Sequence, residues 1–225
     1  MRKTLLSLSR FQKEQGIIHI GTRSTINGGR GAMVTLRYGN TNTFYIPGTD
    51  GGLLVDTDWA GTLPQFFKAI KAAGIEMRAV TALLVTHYHP DHMGLAGELQ
   101  QRGVKLLLVD VQRPFVQASD AIFARDRRLA YRAVEENAAT VFSCAQSRAV
   151  LKTLGIDGEI LHTPSHSAES VSLVLDDGSC LVGDLEPLAY LAGYDENPAL
   201  KSDWEQLMSR HPKRILYAHA NEQRM

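Results

Sequence analysis

Residues 86–92 read Thr86-His87-Tyr88-His89-Pro90-Asp91-His92 and follow directly on an apolar run over residues 80–85. Three imidazoles and a carboxylate within six consecutive positions, at the end of a buried strand, point to a metal. Neutral imidazole and carboxylate are the usual ligands of zinc and non-haem iron, and a turn leaving a strand end can aim several successive side chains at one point. Histidines that merely support structure usually occur singly.

Working outward, three more ligand-type residues stand in the same relation to an apolar segment. His166 lies in Leu161-His162-Thr163-Pro164-Ser165-His166-Ser167, just past a strand end; Asp184 closes Cys180-Leu181-Val182-Gly183-Asp184; His219 follows Ile215-Leu216-Tyr217-Ala218. Recurrence at the carboxyl ends of short apolar runs puts all of them at one edge of a sheet. With the first cluster they make seven candidate ligands, enough for two metals sharing a bridging carboxylate.

On these residues the chain resembles the metallo-β-lactamase-fold superfamily of hydrolases. The family's His-x-His-x-Asp-His signature is matched by His87, His89, Asp91 and His92, its later histidine by His166, its bridging aspartate by Asp184 and its final histidine by His219. The aspartate that the family places after an early strand is matched by Asp56 in Gly51-Gly52-Leu53-Leu54-Val55-Asp56. Ser165, Glu169 and Ala220 stand where glycines are usual; none of these departures removes a ligand.

The resemblance implies an αββα sandwich of two mixed sheets with outer helices, an α/β architecture that periodicity alone would leave as mixed α/β. It implies one metal on His87, His89 and His166, a second on Asp91, His92 and His219, and Asp184 touching both, with two zinc ions as cofactor and iron or manganese as substitutes. Asp91 and Asp184 are then the catalytic carboxylates, and Asp56 is a candidate to hold a ligand imidazole by its other nitrogen. The expected reaction is hydrolysis of a small carbonyl compound, an ester, thioester or lactone, and weak β-lactam hydrolysis is compatible with it. Two alternatives are a mononuclear iron persulfide dioxygenase, which would use His87, His166 and Asp184 alone, and a phosphodiesterase.

Composition narrows the partners. Twenty-four basic residues balance twenty-four acidic ones, so no global field recruits nucleic acid or an anionic membrane. Arg125, Arg127, Arg128 and Arg132 form a local basic stretch broken by Asp126, Glu135 and Glu136, which reads as a solvated helix face. The expected partner is a small-molecule substrate, with neither nucleic acid nor membrane, and a homo-oligomer is compatible with the sequence. Only Cys144 and Cys180 are present, no apolar stretch nears the roughly 20 residues a bilayer requires, and the apolar run before residue 16 is broken at Ser7, Ser9 and Arg10. A cytoplasmic protein is therefore expected.

A 225-residue chain with 44% hydrophobic content can build one large core, and residues 1–225 read as a single domain. Strands are expected at residues 17–20, 32–38, 43–46, 53–56, 80–85, 106–109, 159–161, 171–175, 179–182 and 214–217, with a hairpin turn at Asp176-Asp177-Gly178. Helices are expected at 63–73, capped by Asp58 and stopped by Gly74, and at 93–101, 120–137, 147–154 and 203–209. Within the 73 residues between His92 and His166, the apolar side chains Phe115, Ile122, Phe123, Leu129 and Tyr131 either line a substrate entrance or pack the helices on the sheet, the second being favoured for most of them.

Overall fold

Along the strand Leu53-Leu54-Val55, successive side chains enter different cores, as period-two alternation requires in a sheet covered on both faces. Leu53 and Val55 face a second sheet, whereas Leu54 faces helices on the opposite side. Ala82 and Leu84 against Leu83 and Val85 repeat the pattern one strand away. These residues are at most 1% exposed. Burying each Leu fully contributes about 1.5–3 kcal/mol, so this alternation fixes the layering.

The computed structural model describes residues 31–192 and 197–225; the strand expected at 17–20 and the segment before it lie outside the described residues. A six-stranded sheet has the order β1 (Val34–Arg37), β2 (Asn42–Pro47), β3 (Gly52–Val55), β4 (Val80–Leu84), β5 (Lys105–Val109) and β6 (Thr140–Phe142). Its first two pairings are antiparallel and the last three parallel. The second sheet, in spatial order, is β11 (Gln223–Arg224), β10 (Arg214–Leu216), β9 (Ser179–Leu181), β8 (Val171–Leu175) and β7 (Gly158–His162). Only β9 and β10 pair in parallel there. Each sheet is mixed, and each comes from one contiguous part of the chain.

Three cores give four layers. Between the sheets, Phe44, Leu84, Leu107 and Val109 meet Ile160, Leu173, Leu181 and Leu216. Outside the first sheet, Phe66 and Ile70 of helix α1 (Leu63–Ala72) and Met93 of α2 (Pro90–Met93) join Leu99 of α3 (Ala96–Gln100) over Leu54, Leu83 and Leu106. Beyond α4 (Asp120–Phe123) and α5 (Ser147–Thr153), helix α6 (Pro198–Met208) sets Leu200, Trp204 and Leu207 over Cys180, Val182 and Ile215 of the second sheet. This is the expected αββα sandwich. No helix among the described residues is long and apolar enough to cross a membrane.

Several local expectations are corrected. The stretch 120–137 is not one helix: α4 ends at Phe123, a 3-10 turn covers Arg127–Leu129, and Ala130 adopts a left-handed φ of 52°. Asp126 breaks the run by accepting the backbone N–H of Arg128 and pairing with its guanidinium at 2.7 Å, so the basic stretch belongs to an irregular segment. The expected helix at 93–101 is split into α2 and α3, and α6 begins at Pro198 rather than 203, with Asn197 accepting the Leu200 N–H as its cap. Asp58 does not cap α1; its carboxylate accepts the N–H groups of Thr41 and Trp59. Strands β6 and β11 were not anticipated. Phe123 is buried while Phe115, Leu129 and Tyr131 pack partly buried on the same core, leaving only Ile122 of those five exposed.

Topology positions the site. Parallel strands β3 and β4 release their chains at the same edge of the first sheet, and β9 and β10 do so in the second, so Asp56 neighbours Thr86 and Asp184 neighbours His219. Crevices outside the carboxyl ends of parallel strands are where open α/β sheets bind ligands. Backbone bonds close the seam between the sheets there: Val171 N–H donates to Thr86 O at 2.9 Å and Asn42 N–H to Ala218 O at 2.7 Å.

Candidate metal centre

The turn after β4 is held in shape by groups from several elements. Gln112, fully buried, donates its amide to Val85 O and Thr86 O; Ser119 Oγ donates to Tyr88 O at 2.6 Å; Thr41 Oγ1 donates to Asp91 O at 2.7 Å; Thr57 N–H and Oγ1 both donate to His92 O. Tyr88 turns into the core, leaving its two flanking histidines to face outward toward the seam. Gly94 permits the close approach of the loop after β3, since a Cβ there would collide with Asp58 O.

All seven expected ligands converge. His87 Nε2 lies 3.0 Å from His89 Nδ1, and His166 Nε2 lies 3.2 Å from the same Nδ1. On the other side His219 Nε2 is 3.1 Å from Asp91 Oδ2 and 3.3 Å from His92 Nε2. Asp184 spans the two groups. Its Oδ2 is 3.9 Å from His87 Nε2 and 3.8 Å from His166 Nε2, while its Oδ1 is 3.3 Å from both His92 Nε2 and His219 Nε2. His87-His89-His166, His87-His92-Asp184 and Asp91-His92-His219 each present three ligand atoms within 4.8 Å of one another. His162 stands apart, with Nε2 on Ala168 O at 2.8 Å.

The nitrogens turned away from the centre fix the ring tautomers. Asp56, 1% exposed and at a left-handed φ of 58°, accepts Thr86 N–H at 2.7 Å, Thr86 Oγ1–H at 2.8 Å and His92 Nδ1–H at 3.0 Å. Because Thr86 commits its hydroxyl proton to Asp56, its oxygen accepts His87 Nδ1–H at 3.2 Å. His219 Nδ1–H donates to Asn40 O at 3.1 Å. In their neutral forms His87, His92 and His219 would therefore aim unprotonated Nε2 lone pairs inward. Two such lone pairs 3.3 Å apart, as on His92 and His219, repel unless a positive charge sits between them. Tetrahedral zinc with Zn–N bonds of about 2.0–2.1 Å separates its nitrogens by roughly 3.3 Å.

Electrostatics favours positive charge at this point, carried by a proton on His92 when no metal is bound. Burial and the surrounding imidazoles of His92, His166, His89 and His219 hold His87 far below its ordinary pKa, and burial lowers His166. Burial also disfavours cationic His92, but Asp56 and Asp184 outweigh it and push its pKa up to about 10. Asp184 is held below the ordinary carboxylate range because His92, His219 and His166 outweigh its burial. Among the described residues its buried Oδ1, 3.3 Å from both His92 Nε2 and His219 Nε2, has no hydrogen-bond partner, a costly state for a carboxylate oxygen that a cation would satisfy. The donor set fits metal ions.

Two residues important to this geometry carried no distinguishing signal in the sequence. Thr86 was legible as the strand's last turn residue but not as the link between Asp56 and His87. Gly183 has a φ of 57°, and a Cβ there would lie 2.5 Å from Thr86 Oγ1, so only glycine leaves that link undisturbed.

The chain belongs to the metallo-β-lactamase superfamily, whose family model matches residues 36–219. Among solved structures, it is similar to a metallo-β-lactamase family protein of Thermus thermophilus, with 19% identity, a TM-score of 0.62 and coverage of 81% of this chain and 69% of that one. A metallo-β-lactamase-like protein of Thermotoga maritima gives 16% identity and a TM-score of 0.63, over 90% and 94% of the two chains. The metallo-β-lactamase FIM-1 of Pseudomonas aeruginosa, solved in a mono-zinc form, gives 18%, 0.60, 91% and 89%. At these identities the likeness is one of fold.

Proposed function

We propose that this protein is a metal-dependent hydrolase of small carbonyl compounds, with His87, His89 and His166 holding one divalent ion and Asp91, His92 and His219 a second. The observation that carries this reading is Asp184: one carboxylate turns Oδ2 to the first triad and a buried Oδ1, without a hydrogen bond among the described residues, to the second. Such a pair of cations, zinc being the ions proposed, supplies a water activated near neutral pH and a Lewis acid for the substrate oxygen.

The chain's own groups do the rest. Asp56 and Thr86 keep His87 and His92 in the ligating tautomer. Asp91, about one-third exposed at the rim, is proposed to orient an attacking water and exchange a proton with it. His87 and His92 form a buried floor, whereas the side chains of His166 and His219 are 26% and 30% exposed, so the centre opens to solvent and to a substrate. The second triad favours the dinuclear hydrolase over a single-iron oxygenase, which would give Asp91, His92 and His219 no ligating role. Residues 1–225 are proposed to act as one domain in the cytoplasm, on an uncharged or weakly charged ester, thioester or lactone. The net charge of zero provides no field for a phosphate polymer.

The test is elemental analysis of protein purified without chelator, joined to a side-by-side assay of thioester, lactone, lactam, bis-p-nitrophenyl phosphate and single-stranded RNA. Two equivalents of zinc or a similar ion, with thioester or lactone turned over best, is the expected result. One equivalent of iron with oxygen uptake on glutathione persulfide would overturn it, as would dominant, salt-sensitive turnover of RNA.

A further inference from the structure

Asn42 opens β2 at the same sheet edge as Asp56, because β2 runs antiparallel to β3 with Phe44 opposite Val55. It is 6% exposed, and both its backbone N–H and its side-chain amide are engaged across the seam. The backbone N–H donates to Ala218 O at 2.7 Å, and the side-chain Nδ2 donates to Tyr217 O and Ala220 O, each at 3.0 Å. The three acceptors flank His219 on both sides. Two residues earlier in the turn, Asn40 O takes the imidazole's Nδ1–H. A segment of three residues thus grips both the backbone and the ring of a ligand from the other sheet.

An amide can satisfy two carbonyls only in one of its two flipped orientations, with nitrogen toward both. Arg37 selects that orientation: its Nε–H donates to Asn42 Oδ1 at 2.9 Å. The two residues are direct cross-strand partners in the β1–β2 register, so the guanidinium is delivered by the sheet itself. Asp in place of Asn42 would turn a carboxylate oxygen toward two carbonyl oxygens, and Ala would leave both carbonyls unpaired.

The opposite group of ligands has a different anchorage. His87 and His89 ride on the turn pinned by Gln112 and Ser119, and the His166 loop is tied by Ser165 N–H to Asp203 Oδ2 at 2.8 Å. Neither set of bonds involves Asn42. We propose that Asn42, oriented by Arg37, is the positioning residue for His219, and so sets occupancy of the Asp91-His92-His219 group separately from that of His87-His89-His166. The proposal rests on the reading that the centre binds two divalent cations, and it makes the first ion independent of this clamp and the second dependent on it.

The experiment is a zinc titration of chelator-stripped wild type, Asn42→Asp, Asn42→Ala and Arg37→Ala against a chromophoric chelator, with the visible spectrum of the cobalt(II)-substituted forms as a second readout. Wild type should take up two equivalents. Asn42→Asp and Asn42→Ala should retain one equivalent at near wild-type affinity and bind the other at least about tenfold more weakly, in line with the loss of groups that orient a ligand. Arg37→Ala should weaken the same equivalent by a smaller factor, about two- to fivefold, since it removes only the orienting contact. The cobalt spectrum of Asn42→Asp should correspond to a single-site form. Wild-type affinity for both equivalents in the Asn42 variants, or equal weakening of both, would overturn the clamp while leaving the dinuclear reading intact. A wild-type protein that binds fewer than two equivalents would overturn the dinuclear reading, and the clamp with it. Should the Asn42 variants fail to fold, Arg37→Ala decides alone: an unchanged second equivalent there refutes the proposal.

Discussion

The Oδ2 oxygen of Asp56 lies 3.0 Å from Nδ1 of His92, and the same oxygen takes the Thr86 hydroxyl whose lone pair receives His87. One buried carboxylate therefore sets the tautomers of an imidazole in each ligand group. It does so from a left-handed backbone conformation that costs a non-glycine residue on the order of 1 kcal/mol or more.

Replacing Asp56 with Asn should weaken metal binding by about 10–100-fold, the usual consequence of losing a carboxylate behind ligating histidines. The amide would also present N–H groups toward either Thr86 N–H or His92 Nδ1–H, so the midpoint of denaturant unfolding should fall by the equivalent of about 1–3 kcal/mol. Zinc titration and equilibrium unfolding measure the two effects. Unaltered zinc affinity would show that the tautomers are set in another way.

Gly183→Ala tests the same link from the opposite sheet. The new methyl must displace Thr86 Oγ1 and sit at an unfavourable φ, so a loss of about 1–3 kcal/mol in stability is expected together with weakened metal binding. If unfolding and zinc affinity both match wild type, Thr86 has room to move and the link is looser than its distances indicate.

Asp184→Asn and His87→Ala should each lower hydrolysis by orders of magnitude while the circular dichroism spectrum stays close to wild type, because the three apolar cores do not include these side chains. His162→Ala should be mild, since its ring bonds to Ala168 O away from the centre. Equal losses at His162 and His166 would reassign the third ligand of the first group.

Metal affinity should fall as pH falls. His92 has its pKa pushed up to about 10, chiefly by Asp56 and Asp184 acting against burial, so a cation reaching Nε2 must displace a proton at any pH below that value. Apparent affinity for the second equivalent should drop by about tenfold per pH unit for the one proton released. Calorimetric titration in buffers of different ionisation enthalpy reads the proton count directly. A count of zero at pH 8 would show that His92 is already neutral.

The candidate ligands were legible in the sequence because each follows an apolar run, and a strand's carboxyl end cannot be hidden when burial forces the run to be apolar. His166, Asp184 and His219 were found by that rule. The layering was not legible from periodicity: strands covered on both faces are apolar throughout, so β3 and β4 show no alternation to assign, and the family resemblance supplied the αββα arrangement. The middle segment misread as a helix at 120–137 failed for a local reason, the competition of Asp126 for the Arg128 N–H and guanidinium. Asn42 gave no signal at all, because a polar residue after a Gly-Asn turn reads as solvent-facing until a strand 175 positions away is brought beside it.

Each sheet is spun from its own stretch of chain, and the seven converging side chains are divided between those stretches: four before the crossing at β6 and three after β7. Neither stretch can assemble the centre alone. A half-folded molecule would hold at most fragments of it, and closing the loop between Asn42 and Tyr217 is among the longest-range steps in the fold, the kind that comes late because chain entropy is lost before any contact offsets it. Tight metal uptake is thus a readout of completed docking, and a refolding chain should acquire its ion only after its two sheets have met.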